Sequence, residues 1–505
     1  MLWEQVKNIR ARLSGETGTV VKDWGGKLPV ALIYPNSYFL GMSNLGIQAI
    51  YRFINEQPDA VCERVFFEPE DDQPLAMESQ RPLSDFAVLA FSLSYELDYL
   101  NVIKILKSAG IPLFAKDRTE EHPLVIAGGP CITANPLPMS PYCDCLCIGE
   151  AEAILPSILP LIKEQRAEDR QHLLEALVKV GGVYVPALPK KPVKRVVAEN
   201  LDDFAVHSAV LTKDTELGEM YLIEVQRGCR FRCKFCLVSC AYSPMRVHSA
   251  DSIVQQAETG LKFRKKLGLV GPAVSDHPQI DEITTRLRSM GAVLSVSSLR
   301  IKPLPSVLLT EVVKGGTGTV ALAPEAGSQR LRDFINKGVN EDDIFRAVEK
   351  VAAQGIRQLK LYFMIGLPTE TDEDIVDMAE LVMKCKSDID RRLSGGRITL
   401  TVAPFVPKAG TEFAGTGMAK TAIIKERLAL LKSRLTAKGI SVKHDSVEWS
   451  EVQAVLSRGD EKVGLALADV GGVGLIDWRN AMAGNGVDID YFAHADWKKE
   501  GQLEH

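Results

Sequence analysis

The sequence predicts an α/β protein in which an N-terminal doubly wound parallel sheet precedes a partial (β/α)6 barrel of the TIM type and a small C-terminal appendage. Three observations favour this fold class. Apolar strand patterns alternate with amphipathic helical patterns over residues 27–200, and the alternation restarts within 201–410. Strands that alternate with helices indicate parallel sheets. Gly-rich or polar segments follow most of the strands, at the sheet edge where such folds bind ligands.

The composition is that of an ordinary globular protein and argues against several classes of function. Of the 505 residues, 46% are hydrophobic and 25% are charged, as in typical globular domains. No run of about 18 apolar residues occurs, so no membrane span is expected. The first residues lack the apolar core of a secretory signal, which makes a cytoplasmic location the expectation. The net charge of −5 argues against a broad nucleic-acid footprint.

The pattern divides the chain into four segments. We assign residues 1–26 to an N-terminal helix and linker, 27–200 to the doubly wound domain, 201–410 to the barrel, and 411–505 to a C-terminal segment with a substrate or cap role. A Lys- and Pro-rich stretch at 186–195 lies near the boundary between the two alternating regions. Residues 503–505 resemble the start of a purification tag and are excluded from functional reasoning.

In the first region, four strand patterns and three helix patterns follow one another. Strands are expected at 28–35, 86–94, 123–129 and 143–150, and helices at 44–56, 99–110 and 153–165. The residues at and after the strand ends are small, polar or glycine, as a backbone that approaches a ligand requires. They define a candidate ligand site that comprises Asn36, Gly41, Ser92, Ser94, Tyr95, Gly128, Gly129, Gly149 and Glu150.

In the second region, six strand patterns with intervening helices extend over about 190 residues, which suits a β/α barrel. Strands are expected at 220–228, 267–274, 292–300, 318–327, 356–366 and 397–407, and helices at 250–263, 283–291, 304–316, 340–355 and 372–387. In such barrels the functional groups lie on the loops after the strands.

The first of these loops carries three cysteines with C-x3-C-x2-C spacing: Cys229, Cys233 and Cys236. A structural zinc site normally takes two separated pairs of ligands, and no second pair with suitable spacing exists. Three close thiolates therefore favour an iron–sulfur cluster, which usually takes four cysteines. Either Cys240 is the fourth ligand, or one iron keeps an open position for a small molecule. Basic side chains around the loop would favour thiolates and offset the negative charge of a cluster.

The cysteine spacing, with Phe235 before the last cysteine and a barrel behind the loop, resembles the radical SAM superfamily. The resemblance implies a [4Fe–4S] cluster held by Cys229, Cys233 and Cys236, with S-adenosylmethionine (SAM) on the open iron. It implies reductive cleavage of SAM to a 5′-deoxyadenosyl radical. It also implies that Cys240 is not a ligand. The three cysteines are accordingly the predicted catalytic and metal-binding residues.

The same resemblance assigns SAM-binding roles at the other strand ends of the barrel. Gly271 and Pro272 stand where the family has a Gly-Gly-Glu segment whose backbone carbonyls hold the SAM amino group, although the acidic residue is missing here. Side chains suited to the ribose, the ammonium or the carboxylate of SAM are Ser297, Ser298, Arg300, Glu325 and Arg330. Backbone contacts with the adenine are expected from Ile365, Gly366 and Leu367, in a segment that resembles the adenine-contacting turn of the family.

The N-terminal domain resembles the cobalamin-binding, Rossmann-like domain of one radical SAM subclass. The resemblance makes the strand-end residues from Asn36 to Glu150 candidate cobalamin contacts. The Asp-x-His-x-x-Gly motif that places a histidine under cobalt is absent, so cobalamin would bind without that ligand, or the domain would lack cobalamin.

The domain order also resembles that of methylthiotransferases, which carry a second cluster on N-terminal cysteines. The cysteines available for one are Cys62, Cys131, Cys143, Cys145 and Cys147. The last three alternate along one strand. Cys143 and Cys147 would be about 13 Å apart on an extended strand, too far for one cluster. Burial as small apolar groups is the better interpretation.

Three functions are therefore open. The leading one is a radical SAM enzyme that uses cobalamin to transfer a methyl group to an unactivated carbon. The second is a cobalamin-independent radical SAM oxidoreductase or methylthiotransferase, and the third is a non-catalytic iron–sulfur electron-transfer protein with Cys240 as fourth ligand. The resemblance implies a flavodoxin- or ferredoxin-type reductant as partner. The substrate, whether a small molecule, a peptide or RNA, is not identified by any motif.

Overall fold

The protein is described here by a computed structural model, which covers residues 2–71, 73–166, 169–189 and 192–497. The chain forms two compact units. Unit 1 comprises the residues up to Glu219 together with Val455–Ile489, and unit 2 comprises Met220–Ala454 with the described residues from Asp490 onward. The expected tag residues 503–505 lie outside the described part of the chain, as do two lysines of the 186–195 stretch.

Unit 1 is built on one sheet with the strand order β2-β1-β3-β4-β5-β6. Its strands are β1 (Leu28–Tyr34), β2 (Ala60–Phe66), β3 (Val88–Ser92), β4 (Leu124–Gly128), β5 (Cys145–Cys147) and β6 (Val183–Tyr184). The first five strands run parallel and β6 is antiparallel to β5. The predicted doubly wound sheet is therefore confirmed, with an antiparallel strand added at one edge.

Strand β2 was not predicted, because Glu63 and Arg64 interrupt its apolar pattern. Both side chains are nevertheless buried. Glu63 accepts a hydrogen bond from the Trp24 indole N–H at 2.7 Å. Arg64 is paired with Glu16 at 2.7 Å and with Glu78 at 2.8 Å. Buried charges persist where they are paired and hydrogen-bonded, so tertiary partners let a charged segment form a buried strand at the edge of the sheet.

Helices pack on this sheet, and most of them bury apolar residues in one core with it. They are α1 (Leu2–Ser14), α2 (Tyr38–Met42), α3 (Leu45–Glu56), α4 (Tyr99–Ser108), α5 (Pro130–Ala134), α6 (Ala151–Gln165) and α7 (Arg170–Leu177). The Asn44 side chain caps α3 by accepting hydrogen bonds from the N–H groups of Gly46 and Ile47, which satisfies donors that the first turn leaves unpaired.

Unit 2 contains two parallel sheets, with the orders β11-β10-β7 and β12-β13-β14-β15, and a short antiparallel ribbon of β8 and β9. The strands are β7 (Met220–Glu224), β8 (Gln226–Arg227), β9 (Arg246–Val247), β10 (Lys266–Val270), β11 (Val293–Val296), β12 (Thr319–Glu325), β13 (Gln358–Ile365), β14 (Arg397–Pro404) and β15 (Ser441–His444). No ladder closes the barrel among the described residues. The predicted partial barrel with its six strands is confirmed, and β15 extends it beyond residue 410.

The helices of unit 2 follow its strands in the order expected for a β/α barrel. They are α8 (Val238–Ala241), α9 (Ala250–Leu261), α10 (Ile280–Ser289), α11 (Ser306–Lys314), α12 (Gln329–Phe334), α13 (Glu341–Ala353), α14 (Asp372–Arg392) and α15 (Thr421–Thr436). Capping boxes begin α13 and α14, built on Asn340 and on Thr371. Such reciprocal side-chain and backbone bonds fix the helix start next to the preceding loop.

The C-terminal part of the chain contributes to both units. Its helices are α16 (Val447–Arg458), α17 (Glu461–Ala466), α18 (Leu475–Gly484) and α19 (Ile489–His494). In unit 1, the Asn135 side chain donates hydrogen bonds to the carbonyls of Ser457 and Gly459, at 3.0 and 2.7 Å. The segment after residue 410 is thus shared between two cores. Among the described residues, no helix has the length and apolar character needed to cross a bilayer.

Arg64→Ala is expected to destabilise unit 1 by about 3–5 kcal/mol, because it leaves Glu16 and Glu78 buried without their cation. The measurement is the free energy of unfolding in urea, with hydrogen exchange of β1 and β2 peptides to locate the loss. Arg10→Ala is the matched control. Arg10 donates one hydrogen bond to Gln80 at 3.2 Å on the surface, so its loss should cost less than about 1 kcal/mol. Equal effects of the two changes would contradict the prediction.

Candidate active site

The three clustered cysteines occupy the loop that leaves the carboxyl end of β7 and the short strand β8. Gly228 opens the loop with φ +75°, and the Tyr242 carbonyl occupies the place of its missing Cβ. Only glycine combines that backbone conformation with that close approach. The Cys236 N–H donates to the Cys233 carbonyl at 3.0 Å. Cys233 is buried, whereas Cys229 and Cys236 are partly exposed.

The cysteine loop is fastened to the segment that follows α12. The backbone N–H of Lys234 donates to the Ile335 carbonyl at 3.1 Å, and the Asn336 side chain donates to the Arg232 carbonyl at 2.8 Å. On the other side, the Lys234 ammonium pairs with Glu412 at 3.2 Å. Two backbone bonds therefore fix the loop on both sides of Cys233, and neither depends on the identity of the loop side chains.

Phe235 joins the cysteine loop to an apolar cluster at the strand ends. The buried members of the cluster are Ala326, Leu331, Ile335, Met364, Leu367, Phe405 and Phe413, with Phe334 and Phe235 packed against them. The Phe334 and Phe413 rings stack with centroids 5.5 Å apart. The structure thus brings together two predicted site residues, Phe235 and Leu367, from loops about 130 residues apart in the chain.

Glu325 lies at the last position of β12 in the left-handed region, with φ +70°. That conformation is uncommon for a residue with a side chain and is frequent at functional sites. The carboxylate accepts from the Lys337 ammonium at 2.9 Å, and both side chains are mostly buried. Burial raises the pKa of the Cys233 thiol to about 11, Lys337 and Arg300 act to lower it, and Glu325 acts to raise it.

The serines at the end of β11 bind the protein backbone. Ser298 donates to the Gly271 carbonyl at 2.9 Å, and Ser297 lies 3.2 Å from both polar backbone atoms of Gly271. The carbonyl expected to face the SAM ammonium is therefore already hydrogen-bonded to two hydroxyls, and Pro272 beside it is exposed. The structure brings Gly271, Ser297 and Ser298 together, and their polar groups are hydrogen-bonded to one another.

Arg300, from the segment after β11, packs against the cysteine loop. Its guanidinium lies over the Phe231 ring, 3.5 Å from the centroid, and 3.4 Å from the Asp276 carboxylate. Arg230 approaches the same carboxylate at 3.6 Å. Asp276 is fully buried, and neither of its oxygens accepts a hydrogen bond from the described residues. These contacts connect the ends of β10 and β11 to the loop.

Arg330 lies away from these contacts. Its guanidinium is paired with Asp374 and donates to the Thr369 hydroxyl and carbonyl at 3.1 and 3.0 Å. Half of its side chain is exposed. The nearby turn after β13 is held differently, since Gly366, at φ +80°, donates its N–H to the buried Glu370 carboxylate at 2.7 Å. The Ile365 carbonyl accepts from the Phe405 N–H at 2.8 Å.

Cys240 lies in the short helix α8, where its Sγ contacts the Cys236 carbonyl at 3.9 Å. Among the described residues, no three His, Cys, Asp or Glu side chains lie close enough to ligate one metal ion. A cluster makes a different demand, since its cysteines bind separate irons. The loop offers three thiols within eight residues, and the Cys240 thiol is directed at a carbonyl.

In unit 1, the loops after β1 and β3 meet where the strand order reverses. The Asn36 side chain donates to Asp98 at 2.8 Å, and the Asn44 side chain donates to the Ser94 hydroxyl at 3.3 Å. An order of 2-1-3-4-5 places its ligand crevice at this β1/β3 position. Ser92 ends β3 and is buried, whereas Tyr95 is 44% exposed. The structure therefore brings Asn36 and Ser94 to one crevice.

The glycines of the same edge have a packing role. Gly41 lies against the Phe66 ring, Gly129 (φ +111°) against the Leu93 backbone, and Gly149 (φ +133°) against the Val196 backbone. The space left by each missing side chain is thus filled by the protein itself. Gly128 ends β4 in ordinary contact with Cys147. Glu150 accepts from the Ala198 N–H at 2.9 Å, so its carboxylate also has an internal partner.

Sequence reasoning missed three charged residues of these sites. Lys337 and Asp276 lie outside the motifs that carry the family resemblance. Asp98 lies in a segment for which the sequence indicated only that it follows a strand. Burial raises the pKa of Asp98 to about 6, although the Asn36 hydrogen bond acts to lower it. A buried carboxyl with such a pKa in a crevice is a functional-site candidate. The only sequence signal was its position after a strand.

Two family matches cover most of the chain. Residues 46–186 match the family described as "Radical SAM proteins, N-terminal", and residues 223–382 match the "Radical SAM superfamily". An uncharacterized protein of Methanocaldococcus jannaschii is 32% identical over 438 residues, which is 86% of this chain and 89% of the relative. The chain therefore belongs to the radical SAM superfamily and is an enzyme of that class. Its cofactors are those of the superfamily, a [4Fe–4S] cluster and SAM.

More distant relatives differ in their chemistry. An uncharacterized methyltransferase of Pyrococcus horikoshii is 25% identical and shares 54% of this chain and 59% of its own length. A tRNA-2-methylthio-N(6)-dimethylallyladenosine synthase of Opitutus terrae is 24% identical and shares 48% of this chain and 52% of its own length. The chain thus spans little more than half of each of these two relatives.

Two solved structures share the fold. The radical SAM methyltransferase TsrM from Kitasatospora setae, solved with cobalamin and a [4Fe–4S] cluster bound, has a TM-score of 0.54 at 13% identity, covering 91% of this chain and 98% of that one. The cobalamin-dependent SAM radical enzyme OxsB has a TM-score of 0.50 at 12% identity, covering 85% of this chain and 66% of that one. At such identities the likeness is one of fold.

The raised pKa of Asp98 predicts that this carboxyl destabilises the folded state in a pH-dependent way, and that Asp98→Asn removes the destabilisation. Below about pH 4 the carboxyl is protonated in both states and costs nothing. As the pH rises to about 6 the unfolded chain loses this proton and the folded chain keeps it, so stability falls by up to about 2–3 kcal/mol. Thermal midpoints of both proteins should therefore agree near pH 4 and diverge by pH 7, with the variant more stable. Parallel curves throughout this range would contradict the assignment.

Proposed function

We propose that this chain is a cobalamin-dependent radical SAM enzyme that transfers a methyl group to an unactivated carbon. The observation that carries the proposal is in unit 1. There the 2-1-3-4-5 sheet opens a polar crevice at its β1/β3 switch point, in a chain whose other unit holds a three-cysteine loop. The fold likeness to TsrM extends over both units. The match of residues 46–186 to the N-terminal radical SAM family does not by itself indicate cobalamin.

The cysteine loop fits a cluster with one open iron. Its three thiols lie on one turn, and the loop backbone is fixed by bonds to Ile335 and Asn336. Cys229, Cys233 and Cys236 are therefore our assigned ligands. The basic side chains around the loop offset the negative charge that a thiolate-bound cluster brings. Cys240 is assigned no role in ligation.

The barrel fits SAM through a smaller set of residues than the sequence suggested. Glu325 offers a mostly buried carboxylate beside the cysteine loop, suited to an ammonium or a ribose hydroxyl. The apolar cluster with Phe235 and Leu367 offers a surface for the adenine. Arg330 is given no contact with SAM in this proposal, because its guanidinium is bound by Asp374 and by both the hydroxyl and the carbonyl of Thr369. Ser297 and Ser298 act instead by holding the Gly271 turn.

The crevice of unit 1 would hold cobalamin without a histidine ligand from its loops. The loops that leave β1, β3, β4 and β5 contain no histidine in the described chain. Asn36, Ser94 and Tyr95 are the side chains we assign to the ligand, and Asp98 holds Asn36 in place. The glycines at 41, 129 and 149 are assigned to packing, because the protein itself fills the space beside them.

When bound, the cluster, SAM and cobalamin would together supply a carbon radical and a methyl carrier. The residues of the chain have simpler tasks. Gly228 and Asn336 hold the cysteine loop in its conformation. Phe235 and its apolar neighbours keep water from the loop, since a closed apolar surface excludes water from reactive groups. Glu325, fixed by Lys337, orients the polar end of SAM.

A radical SAM methylthiotransferase is the second candidate, favoured by distant relatives of that name. Such an enzyme would need three further thiolates in its N-terminal domain. Cys143, Cys145 and Cys147 are fully buried in unit 1, and burial raises the pKa of Cys143 and of Cys147 to about 12. Cys145 and Cys147 lie in β5 within the core of unit 1, not on a loop at the strand ends. The predicted burial of these cysteines is confirmed, which disfavours a second cluster.

A low-potential reductant of the flavodoxin or ferredoxin type is the proposed protein partner. The cytoplasm, expected from the sequence, is the compartment that would supply it. The substrate class stays open among small molecules, peptides and RNA.

Cys233→Ala is expected to lose the cluster and all SAM cleavage, because one ligand of a three-cysteine set is removed. The measurements are iron and sulfide per chain after anaerobic reconstitution, and 5′-deoxyadenosine formed with dithionite. Cys240→Ala, in the same loop region, is the matched control and should retain about four irons and activity within about twofold. A Cys233→Ala protein that still cleaved SAM, or loss of the cluster in Cys240→Ala, would refute the ligand assignment.

Tyr95→Glu is expected to weaken cobalamin binding at least about tenfold, because an exposed aromatic at the crevice is replaced by a charge. The measurement is a titration with hydroxocobalamin followed by its visible absorbance after gel filtration. Phe263→Glu is the control, since Phe263 is similarly exposed, at 50%, beyond the end of α9. Absence of cobalamin binding by the unaltered protein would favour the methylthiotransferase or oxidoreductase alternative.

A further inference from the structure

A buried ion pair between Glu325 and Lys337 lies beside the cysteine loop. The two charged atoms are 2.9 Å apart, and only 17% and 12% of the respective side chains are exposed. Exposed ion pairs are screened by water and contribute little, whereas buried charges act on their neighbours through a weaker dielectric. The charge of Lys337 therefore reaches the loop with little screening.

The backbone holds Lys337 in position from both sides. Its N–H donates to the Arg332 carbonyl at 2.9 Å. Asn336, directly before it, has φ +56° and donates to the Arg232 carbonyl. Gly338, directly after it, has φ +69°. Two residues in the left-handed region thus flank Lys337. One of them, Asn336, is hydrogen-bonded to Arg232, the residue that precedes Cys233.

The backbone also fixes the position of Glu325. It ends β12 in a left-handed conformation, next to a register shift between β12 and β13. An ion pair on the surface can form without an unusual backbone conformation or a register shift of this kind. The carboxylate at this strand end meets the Lys337 ammonium, and the residue before Lys337 donates to the Arg232 carbonyl, next to Cys233.

The other cations near the loop are less suited to this role. Lys234 is paired with Glu412, of which 64% is exposed. Arg230 is itself 54% exposed, and Arg300 shares with it the carboxylate of Asp276. Solvent screens the charges of Lys234 and Arg230, whereas Arg300 and Lys337 each face a buried acid. Lys337 lies in the segment that is hydrogen-bonded to the cysteine-loop backbone, while the Arg300 guanidinium is also engaged by the Phe231 ring.

We propose that Lys337 is a positioning residue that sets the reduction potential of the cluster on Cys229, Cys233 and Cys236, with Glu325 holding it and opposing it. Reduction adds one electron, and thus one negative charge, to the cluster. A fixed cation nearby stabilises that added charge and raises the potential, and a fixed anion lowers it. This inference rests on the cluster ligation proposed above.

The test is a redox titration of the reconstituted protein, followed by the electron paramagnetic resonance of the reduced cluster. Lys337→Gln should shift the reduction equilibrium on the order of tenfold toward the oxidised form, about 59 mV for a one-electron couple. Glu325→Gln should shift it in the opposite direction, and the double variant should lie between the two. A purely structural role would give no opposite shifts.

Two controls accompany these variants. Lys337→Arg keeps the charge and should stay near the unaltered protein. Lys314→Gln removes a lysine that is 62% exposed and paired with Glu311 on α11, and it should leave the potential unchanged. Iron content is measured for every variant, so that the potentials compared belong to fully loaded clusters.

The outcomes separate this inference from the proposed function. If the unaltered protein binds no cluster, the proposed function fails. If it binds one and the potentials of Lys337→Gln and Glu325→Gln equal that of the unaltered protein, this inference alone is overturned. Should Lys337→Gln lose its iron, Glu325→Gln decides, because a raised potential supports the role and an unchanged one overturns it.

Discussion

Parallel strands can be connected only by crossovers, and this constraint organises both halves of the molecule. Each crossover returns the chain to the end of the sheet where the previous strand began, so the carboxyl ends of all parallel strands lie together at the opposite end. In unit 1 this end gathers the loops after β1 and β3, which Asn36 and Asp98 join. In unit 2 it gathers the cysteine loop after β7, Glu325 after β12 and the turn after β13. Residues far apart in sequence become neighbours for this reason alone.

Burial gives chemically identical groups different properties in the two units. The thiols of Cys143 and Cys147 lie in a core that raises their pKa values to about 12, and they pack as small apolar groups. Cys233 is also buried, but Lys337 and Arg300 oppose the effect of burial on its pKa. A cation does not by itself separate the two kinds of cysteine, since Arg118 also acts to lower the pKa of Cys143; the candidate ligand differs in lying on a loop at the strand ends.

Several side chains at the strand ends bind the protein itself. Ser297 and Ser298 hold Gly271, Arg330 pairs with Asp374, and Glu150 accepts from Ala198. Polar groups at a crowded sheet edge lose their water and must find partners, and the nearest partners are other protein groups. A position after a strand thus identifies the correct edge of the sheet but not which atoms remain available to a ligand.

The sequence by itself determined the fold class, the six barrel strands, the cysteine loop and the superfamily, because period, spacing and strand-end chemistry are local properties of a chain. It did not indicate β2, whose Glu63 and Arg64 become core residues only when Trp24, Glu16 and Glu78 surround them. It did not indicate Lys337, Asp276 or Asp98 either. Their significance comes from distant partners, and only the tertiary structure decides which charges are buried together and which pKa values shift.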